Sequence, residues 1–340
     1  MLRFGVWFFV GYLALSFIAG VLIAEAALHP GRRPLSAKDE MHAQGIAHSH
    51  DSELASVTIV ARDKVTLSAW SVRPRNDNGN TVILLHGLGD NRLGMIGYAE
   101  LLLGHGFSVL MPDTRAHGTS GGELATYGLL ESEDIHGWFD WLEQNQHPRC
   151  IFGFAESMGA AQLLQSLQTE PHFCAVAAES PFSSFREIAY DRVGQFFRTG
   201  PWLGRTVLRP VVEVAFGYAR WKYKMNFEQV SPEYAAAATR VPILLIHGLN
   251  DNNIAVRHSR KIVTRSPAVA LREVPDTDHC GAISTSPHEL EQRLVGWFGD
   301  HQGNTTTDRD RSQTTTSWHP FVQKLSHHPR AECLSPKLLR

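Results

Sequence analysis

The stretch of sequence that decides the fold is IFGFAESMGAA, residues 151–161, with Ser157 near its centre. An apolar run rich in aromatic residues passes here directly into small and helix-forming residues, which is typical of a buried strand that turns sharply into a helix. Small residues stand two positions before and after the serine, at Ala155 and Gly159. A tight strand-to-helix turn requires them because its strained backbone leaves little room for bulk. The stretch therefore predicts a nucleophile elbow that presents the hydroxyl of Ser157 at the end of a strand.

The elbow pattern is not specific by itself. Its form is A-x-S-x-G, with Ala155 at the first glycine of the G-x-S-x-G pattern, and small residues also flank serines that only cap a helix. Two companion segments each follow a predicted strand. Residues 84–91 read LLHGLGDN, a strand end with a glycine-rich turn that can direct a backbone N–H at an oxyanion, and residues 111–120 read MPDTRAHGTS. The ordered set of three is far more specific than any member of it.

Short apolar strands alternate with amphipathic helices from about residue 81 onward, which is typical of a mostly parallel sheet in the α/β class. The near-continuous apolar character of these strands fits burial on both faces. Two β-rich runs, residues 55–60 and 65–72, precede them and predict an antiparallel hairpin at which the sheet begins. The later predicted strands are residues 81–86, 107–112, 150–154, 175–179, 242–247 and 269–274. The predicted helices between them are residues 92–105, 129–146, 157–169, 255–266 and 286–300.

The three ordered motifs resemble those of the α/β-hydrolase superfamily. They are His-Gly-x-Gly from His86, Asp-x-Arg-x-His-Gly-x-Ser from Asp113 and the elbow around Ser157, and the set looks like that of the serine-aminopeptidase-like and lysophospholipase-like branch. The resemblance covers about residues 54–300. It implies the α/β-hydrolase fold, with a mostly parallel sheet flanked by helices and a helical cap inserted over the active site at about residues 182–238.

The resemblance also implies a catalytic triad in the chain order serine, acid, histidine. Asp251 follows a late strand at the family position, and His279 follows the last predicted strand. The family pattern thus assigns Ser157 as nucleophile, His279 as base and Asp251 as acid. Asp276 and Asp278 are alternative acids, but they share the loop of the histidine. Asp251 is favoured because it can approach the outer imidazole nitrogen from a neighbouring strand.

The same resemblance implies that the backbone N–H groups of Leu88 and Met158 hold the oxyanion during acyl transfer. Neither a metal ion nor an organic cofactor is expected, because a triad with an oxyanion hole needs none. Asp113, Arg115 and His117 are expected to support the loops around the site, since nothing in acyl transfer requires them.

The N-terminus carries a second strong signal. Residues 4–24 contain no charge and are rich in Phe, Val, Leu, Ile and Ala, and at ~1.5 Å per residue this run can cross a bilayer core of ~30 Å. It predicts a transmembrane signal anchor. A cleaved secretory signal is the alternative, because Ala24-Glu25-Ala26 has the form of an A-x-A cleavage site. Both interpretations place the catalytic domain outside the cytoplasm, either anchored or secreted. Because of the charges that follow the run, a cytoplasmic catalytic domain remains an alternative.

These signals divide the chain into an anchor, a linker, a hydrolase domain and a tail. The anchor or signal covers residues 1–28, the Pro-, Gly- and His-containing linker 29–52, and the hydrolase domain 53–301 with its cap at about 182–238. Residues 302–340 are rich in Thr, Ser, Gln and Arg, which predicts a disordered tail. Aromatic side chains of the cap either line an apolar cavity or form the cap's own core. They include Trp202, Tyr218, Trp221, Tyr223 and Tyr234.

Composition excludes some partners and structural classes. Charged residues make up 19% of the 340 residues and the formal net charge is -2, so no basic surface is expected to neutralise nucleic-acid phosphates. The four cysteines are Cys150, Cys174, Cys280 and Cys333. They form no short Cys-x-x-Cys pair and are too few for a disulfide scaffold, so all four are expected to be free thiols, with Cys280 in a packing role.

The expected function is serine hydrolysis of a small-molecule acyl substrate. A carboxylic ester is favoured, in part because a membrane-tethered domain meets lipidic substrates. A peptidase of the aminopeptidase type and an acyltransferase remain alternatives, and a non-catalytic binding protein with the same fold is a further one. An intact set of Ser157, Asp251 and His279 argues against the non-catalytic alternative.

Overall fold

An eight-stranded sheet lies at the centre of the computed structural model, which describes residues 2–196 and 199–303. Its strands are β1 Ser52–Val60, β2 Thr66–Pro74, β3 Asn80–Leu85, β4 Ser108–Pro112, β5 Cys150–Glu156, β6 Val176–Glu179, β7 Ile243–Gly248 and β8 Ala270–Val274. Their order is β1-β2-β4-β3-β5-β6-β7-β8. The pairs β1–β2 and β2–β4 are antiparallel, and the remaining pairs are parallel. The predicted α/β class, hairpin and mostly parallel sheet are confirmed.

Helices connect the strands and cover the sheet. They are α1 Leu2–Leu28, α2 Ala37–Ser49, α3 Ile96–Leu103, α4 Glu131–Asn145, α5 Ser157–Ser166, α6 Phe185–Phe196, α7 Pro201–Arg205, α8 Arg209–Tyr223, α9 Pro232–Ala238, α10 Arg257–Arg265, α11 Ala282–Thr285 and α12 Pro287–Asp300. Short 3₁₀ turns occur at Arg92–Met95 and Phe227–Gln229. The helices predicted from periodicity correspond to α3 with its preceding turn, α4, α5, α10 and α12.

The two faces of the sheet are both buried, which explains the near-continuous apolar strands. In β3, Val82 and Leu84 belong to a cluster with Phe298 of α12, whereas Ile83 belongs to the opposite cluster with Trp138 of α4. Successive side chains of a strand point to opposite faces, so each face receives every second residue. The central strands are therefore apolar at consecutive positions.

The segment expected to be an irregular linker contains a helix, α2. Ser36 begins it with a capping box, in which the backbone N–H of Asp39 donates to the serine hydroxyl and the backbone N–H of Ser36 donates to the Asp39 carboxylate. Ala43 and Ala47 are buried in the core of the domain. The expectation of a linker over residues 29–52 is wrong for residues 37–49. The buried face consists of alanines, so the segment has no stripe of large apolar residues from which periodicity could be detected.

The expectation of free thiols is wrong for two of the cysteines, because Cys150 and Cys174 form a disulfide. Cys150 begins β5, and Cys174 lies two residues before the neighbouring strand β6, with its N–H donating to the carbonyl of Ile151. Their Cα atoms are 5.8 Å apart. Strand pairing brings them together across 24 residues of sequence, which no short cysteine motif indicates. Cys280 is free as expected.

The predicted cap is helical. Helices α6 to α9 lie between β6 and β7, and they cover the carboxyl ends of the parallel strands. Met158 at the start of α5, Phe182, Phe227 and Ile254 pack together in one buried cluster that joins the cap to the sheet. The tail expected over residues 302–340 lies, from residue 304 onward, outside the described residues.

The apolar N-terminal run forms α1, a helix of 27 residues. The part Arg3–Leu28 has a mean hydropathy of 2.3 and is long enough to cross a membrane, with 11% of its most apolar window buried in the protein. Its second half lies along α8 of the cap. A Cβ on Gly20 would stand 2.7 Å from the carbonyl oxygen of Val211, so the two helix backbones are in direct contact there.

Candidate active site

The junction of β5 and α5 has the geometry of a nucleophile elbow. Ser157 has a backbone φ of 52°, in the left-handed region that side chains rarely adopt. Gly159 must be a glycine, because a Cβ there would lie 2.6 Å from the carbonyl oxygen of His86. Ala155, the small residue predicted before the serine, is fully buried in β5. The strained turn projects the hydroxyl of Ser157 away from the sheet into a pocket under the cap.

The structure brings Ser157, His279 and Asp251 into one hydrogen-bonded line. The Nε2 atom of His279 is 2.9 Å from the hydroxyl oxygen of Ser157, and its Nδ1 atom is 2.8 Å from a carboxylate oxygen of Asp251. Because the carboxylate can only accept, Nδ1 carries the proton and Nε2 is free to accept the serine proton. Among the described hydrogen bonds, His279 has none to Asp276 or Asp278, the alternative acids. The geometry therefore agrees with the choice of Asp251.

Several donors hold the carboxylate of Asp251 in place. The backbone N–H groups of Asn253 and Ile254 donate to its Oδ1 atom over 2.9 and 2.8 Å, while His279 donates to Oδ2. Burial raises the pKa of Asp251, but hydrogen bonds from His247 and His279 outweigh it and hold the pKa well below its usual value. Asp251 is therefore an anion at neutral pH, as an acid that orients a histidine must be.

His247 belongs to this arrangement and was missed by sequence reasoning. It lies at the end of β7 and is fully buried, with Nε2 2.7 Å from the carbonyl oxygen of Ile254 and 3.4 Å from Asp251. Its Nδ1 atom lies 2.7 Å from the hydroxyl oxygen of Ser259. Its bonds tie the turn that carries Asp251 to α10. The only sequence signal was a histidine at a predicted strand end.

The two residues expected to form the oxyanion hole both border the pocket beside Ser157. Met158 is the second residue of α5, so its N–H has no partner within the helix. Leu88 follows Gly87, where an added Cβ would lie 3.5 Å from the Cβ of the serine. The turn after β3 thus runs directly beside the nucleophile.

A pair of carboxyls, the partly buried Glu156 and the fully buried Glu179, lies next to the nucleophile, and sequence reasoning did not predict it. The hydroxyl of Tyr98 is 2.6 Å from Glu156 and 3.0 Å from Glu179. Burial and the neighbouring Glu179 raise the pKa of Glu156 to about 8, and burial raises the pKa of Glu179 as well. Because a tyrosine hydroxyl carries one hydrogen, it donates to one carboxylate and accepts from the other. One of the two carboxyls is therefore protonated at neutral pH.

The residues expected to support the surrounding loops form ion pairs away from the reacting atoms. Asp113 accepts from the backbone and the guanidinium of Arg92 at 2.7 and 2.6 Å. Arg115 makes a bidentate bond to Asp134 at 2.7 and 2.6 Å. Together with His117, they are absent from the described lining of the pocket. Their contacts fit the supporting role expected of them.

The pocket above Ser157 has a volume of about 450 Å³ and an almost entirely apolar lining. Its aromatic lining consists of Tyr127 and five phenylalanines: Phe182, Phe185, Phe196, Phe216 and Phe227. The tryptophans and tyrosines singled out in the cap are absent from its described lining, and Trp202, Trp221 and Tyr234 are exposed. Aromatic side chains of the cap thus do line the cavity, but they are phenylalanines and not the tryptophans and tyrosines named from the sequence.

The end of α1 also lines this pocket, which sequence reasoning did not anticipate. The contributing residues are Ile23, Ala24, Ala26, Ala27 and Leu28. The hydroxyl of Tyr127, another lining residue, donates to the carbonyl oxygen of Ala27 over 2.7 Å. A uniformly apolar helix gives no sign of which face contacts protein, so periodicity could not reveal this role.

Within the described part of the chain, one group of side chains has the spacing to hold a metal ion. It consists of His136, Asp140 and Glu170, whose ligand atoms lie within 4.8 Å of one another. None of these residues lines the pocket above Ser157. Both ring nitrogens of His136 already face carboxylates, at 2.7 Å from Glu170 and 3.6 Å from Asp140. This group is therefore accounted for as ion pairs.

Proteins of known sequence similar to this chain include the uncharacterized protein YqkD of Bacillus subtilis, which is 28% identical over 247 residues, 71% of this chain and 77% of that protein. The uncharacterized protein YfhR of Escherichia coli K12 is 26% identical over 237 residues, 67% of this chain and 74% of that protein. The similarity in both covers most of each chain, so the relatives share a whole domain.

Solved structures with the same fold include the Pyrococcus furiosus esterase Pf2001, with a TM-score of 0.63, 25% identity and coverage of 82% of this chain and 99% of the esterase. A Pyrococcus horikoshii acylaminoacyl peptidase has a TM-score of 0.56 at 18% identity, over 74% of this chain and 42% of the peptidase. The peptidase likeness concerns the fold alone. The model of the alpha/beta hydrolase family matches residues 82–293, a range that includes Ser157, Asp251 and His279. That match covers more than half of the 340 residues, and it confirms the resemblance seen in the ordered motifs: the chain belongs to the α/β-hydrolase family.

Proposed function

We propose that this protein is a serine hydrolase that cleaves carboxylic esters through an acyl-enzyme. The observation that carries the proposal is the line of hydrogen bonds from Ser157 through His279 to the ionised Asp251, placed beneath an apolar pocket. A nucleophile, a base and a group that orients the base are the parts that acyl transfer requires. The likeness to an esterase at 25% identity supports the same reaction class.

Each step of the proposed reaction follows from the roles assigned to these residues. His279 takes the hydroxyl proton through Nε2 as the oxygen of Ser157 attacks the acyl carbon, and Asp251 stabilises the imidazolium that forms. The N–H groups of Leu88 and Met158 stabilise the oxyanion, and one such donor supplies ~3 kcal/mol. The imidazolium then gives its proton to the leaving alcohol, which leaves an acyl-enzyme. Water attacks that ester with His279 again as base, and the acid is released.

The lining of the pocket favours an acyl chain over a peptide. Its described residues include no aspartate or glutamate, so it offers no anion to the free ammonium group that an aminopeptidase must hold. Arg192 is the charged side chain in that described lining, and its guanidinium hydrogen-bonds the side chain of Asn253. An aminopeptidase remains the second candidate on the family resemblance, and an acyltransferase would use the same acyl-enzyme.

We further propose that α1 is an uncleaved membrane anchor and that the catalytic domain lies outside the cytoplasm. The length and apolarity of α1 support the first part. The disulfide between Cys150 and Cys174 supports the second, because disulfides persist in oxidising compartments and are rare in the cytosol.

A fluorophosphonate probe tests the nucleophile. We expect the full-length protein to be labelled at Ser157 and the Ser157→Ala variant to remain unlabelled. Absence of labelling in the wild type would contradict the proposal. A panel of p-nitrophenyl esters and aminoacyl anilides then separates the two reaction classes. Turnover of anilides without turnover of esters would replace the esterase by a peptidase.

A further inference from the structure

The inference concerns the second half of α1, whose residues form part of the pocket above the nucleophile. We propose that the end of α1 is the acyl-binding wall of the active site, and that the pocket takes the acyl chain of a lipid ester directly from the membrane that holds α1. This inference rests on the proposed ester hydrolysis, which it deepens by naming the substrate class and its route.

The wall is fixed to the cap by a charged contact. Glu25 lies near the end of the otherwise apolar helix, and its Oε1 atom accepts bonds from Tyr218, Lys222 and Tyr223 at 2.6, 2.8 and 2.7 Å. These three residues come from the end of α8. The bonds account for a carboxylate in an otherwise apolar run, since a charge there is stable only where it is paired. They also place the neighbouring Ala24 toward the pocket, where it is 5% exposed.

The wall is fixed to the catalytic domain as well. The N–H of Ala125 donates to the carbonyl oxygen of Leu28 over 2.9 Å, and the hydroxyl of Tyr127 donates to that of Ala27. These carbonyls are at the end of a helix, where no intrahelical donor is available to them. The end of α1 is thus capped by the domain, and it stays in a defined position above the nucleophile.

Contacts with α8 extend far back along α1. Tyr12 donates a hydrogen bond to the carbonyl oxygen of Val207, just before α8 begins, and Gly20 contacts Val211. If α1 crosses a bilayer core of ~30 Å, about 20 of its residues lie in the hydrocarbon. If the stretch from Tyr12 to Leu28 stayed in water, the remaining residues of this 27-residue helix would be too few to cross the bilayer core. The start of α8 must therefore lie at the depth of the membrane.

Exposed apolar side chains of the cap fit this placement. Trp202 is 70% exposed, and the Val207 that receives the bond from Tyr12 is 51% exposed. Trp221, at the other end of α8, is 71% exposed and packs against Tyr218, the partner of Glu25. Tryptophans are enriched where proteins meet the headgroup level of a bilayer. The cap beside α1 thus exposes apolar side chains near both ends of α8, which fit contact with the bilayer beside the pocket.

The occupant follows from the lining. A cavity of about 450 Å³ with phenylalanine, alanine and leucine walls excludes charged or strongly polar groups but accepts a hydrocarbon chain. The ester carbonyl is then held at Ser157, with the chain directed between the cap and α1. Because a methylene keeps apolar surroundings when it passes from the bilayer to this wall, a long acyl chain can enter the pocket at little cost.

Phenylalanine substitutions in the wall test the first part. Full-length Ala24→Phe and Ala27→Phe proteins are compared in detergent micelles with Ala14→Phe, which changes an exposed alanine of the same helix outside the pocket. The readout is the ratio of kcat/KM for p-nitrophenyl palmitate to that for p-nitrophenyl acetate, with active sites counted by fluorophosphonate labelling. We expect a fall of at least about tenfold in the two wall variants, because filling a pocket excludes the longer chain.

The outcomes separate the two levels of the proposal. If the wild type hydrolyses both esters and the ratio is the same in all variants, the end of α1 does not bind the acyl chain, while the proposed ester hydrolysis is unaffected. If the ratio falls equally in Ala14→Phe, the effect belongs to the helix as a whole, and the proposal that the end of α1 binds the acyl chain is wrong. If the wild type hydrolyses neither ester, the proposed function fails and the inference with it. A wall variant that is too poorly folded to label is replaced by Ala27→Leu.

Vesicles test the route. The full-length protein is placed in phosphatidylcholine vesicles with a diacylglycerol that carries a pyrene-labelled acyl chain. The same amount of that lipid is supplied in separate vesicles for comparison. We expect hydrolysis to follow its mole fraction in the protein's own vesicles and to be at least about tenfold slower from separate ones. Equal rates from both would show that the substrate arrives through water, which overturns supply from the membrane.

Discussion

At the scale of single residues, the site depends on a few protons held in defined places. Asp251 is kept ionised by His247, His279 and two backbone N–H groups. A short distance away, Glu156 and Glu179 share the hydroxyl of Tyr98 and between them keep a proton. The pKa of Asp251 is lowered because its hydrogen bonds outweigh burial, whereas burial outweighs the bonds from Tyr98 to both glutamates and from the Ala282 N–H to Glu179.

Replacing Asp251 tests its assigned role. In Asp251→Asn an amide faces Nδ1 of His279, so the histidine is no longer held in the tautomer that leaves Nε2 free for the serine proton. We expect kcat for p-nitrophenyl butyrate to fall by about 10³–10⁴, with KM little changed. Asp276→Asn, at an aspartate of the histidine loop, is the control and should retain activity within about twofold. A greater loss in the control than in Asp251→Asn would transfer the role to Asp276.

The raised pKa of Glu156 predicts a dependence of stability on pH. The folded protein keeps a proton that the unfolded chain loses at about pH 4.5, and it gives this proton up near pH 8. Between these values the folded state binds more protons, so its stability is highest at the acidic end and falls as the pH rises. We expect this carboxyl to lower the free energy of unfolding by a few kcal/mol, in order of magnitude, across that window.

The measurement is the free energy of unfolding in urea from pH 5 to pH 9. Glu156→Gln keeps the shape of the protonated carboxyl but cannot ionise, so its stability should fall less steeply over this range than that of the wild type. Glu123→Gln, at an exposed glutamate, is the matched control and should follow the wild type. Parallel curves for Glu156→Gln and the wild type would show that Glu156 does not hold the proton.

At the scale of elements, the strands and most helices could be predicted because their signals are local. Each parallel strand is an apolar run buried on both faces, and the elbow has small residues at fixed positions on either side of Ser157. Helix α2 could not be predicted in this way, because its buried face is made of Ala43 and Ala47. The disulfide depends on the register of β5 and β6, which no pair of cysteines in the sequence reveals.

The disulfide predicts a response to reductant. It closes a loop between residues 24 apart, one end of which begins a central strand, so its loss should cost about 2–4 kcal/mol of stability. For a domain of this size the melting temperature should fall by about 5–15 °C on reduction. The Cys150→Ser, Cys174→Ser double variant should have a melting temperature close to that of the reduced wild type, both with and without reductant. A wild type whose melting temperature is the same in both conditions would show that the two thiols are not joined.

At the scale of the whole molecule, the catalytic loops were predictable and the position of α1 was not. In a parallel sheet the carboxyl ends of the strands meet at one edge, so the turns after β3, β5, β7 and β8 converge without further information. The contact of α1 with the cap depends on Gly20, which sequence reasoning placed inside the membrane run, and on Glu25, which it placed just after that run. It treated that run as a tether, whereas the structure makes its end a part of the pocket.

The fate of α1 can be measured directly. We expect the protein to remain in the membrane pellet after a carbonate wash and to keep its first 28 residues, because Glu25 and Ala26 of the possible cleavage site are packed against the cap and the pocket. Mass spectrometry of the mature protein is the readout. Release of a protein that begins after Ala26 would show signal cleavage, and it would contradict both the anchor and the wall.

The contact between α1 and the pocket has a practical consequence for inhibitor discovery. Apolar N-terminal helices are commonly removed so that an enzyme can be prepared in water. Without residues 1–28, the pocket would lose five of its lining residues and the cap would expose Phe216 and Ala219 to solvent. Compounds ranked on such a shortened enzyme would be selected against a pocket that lacks one of its walls, so their order of potency should differ from that on the intact protein.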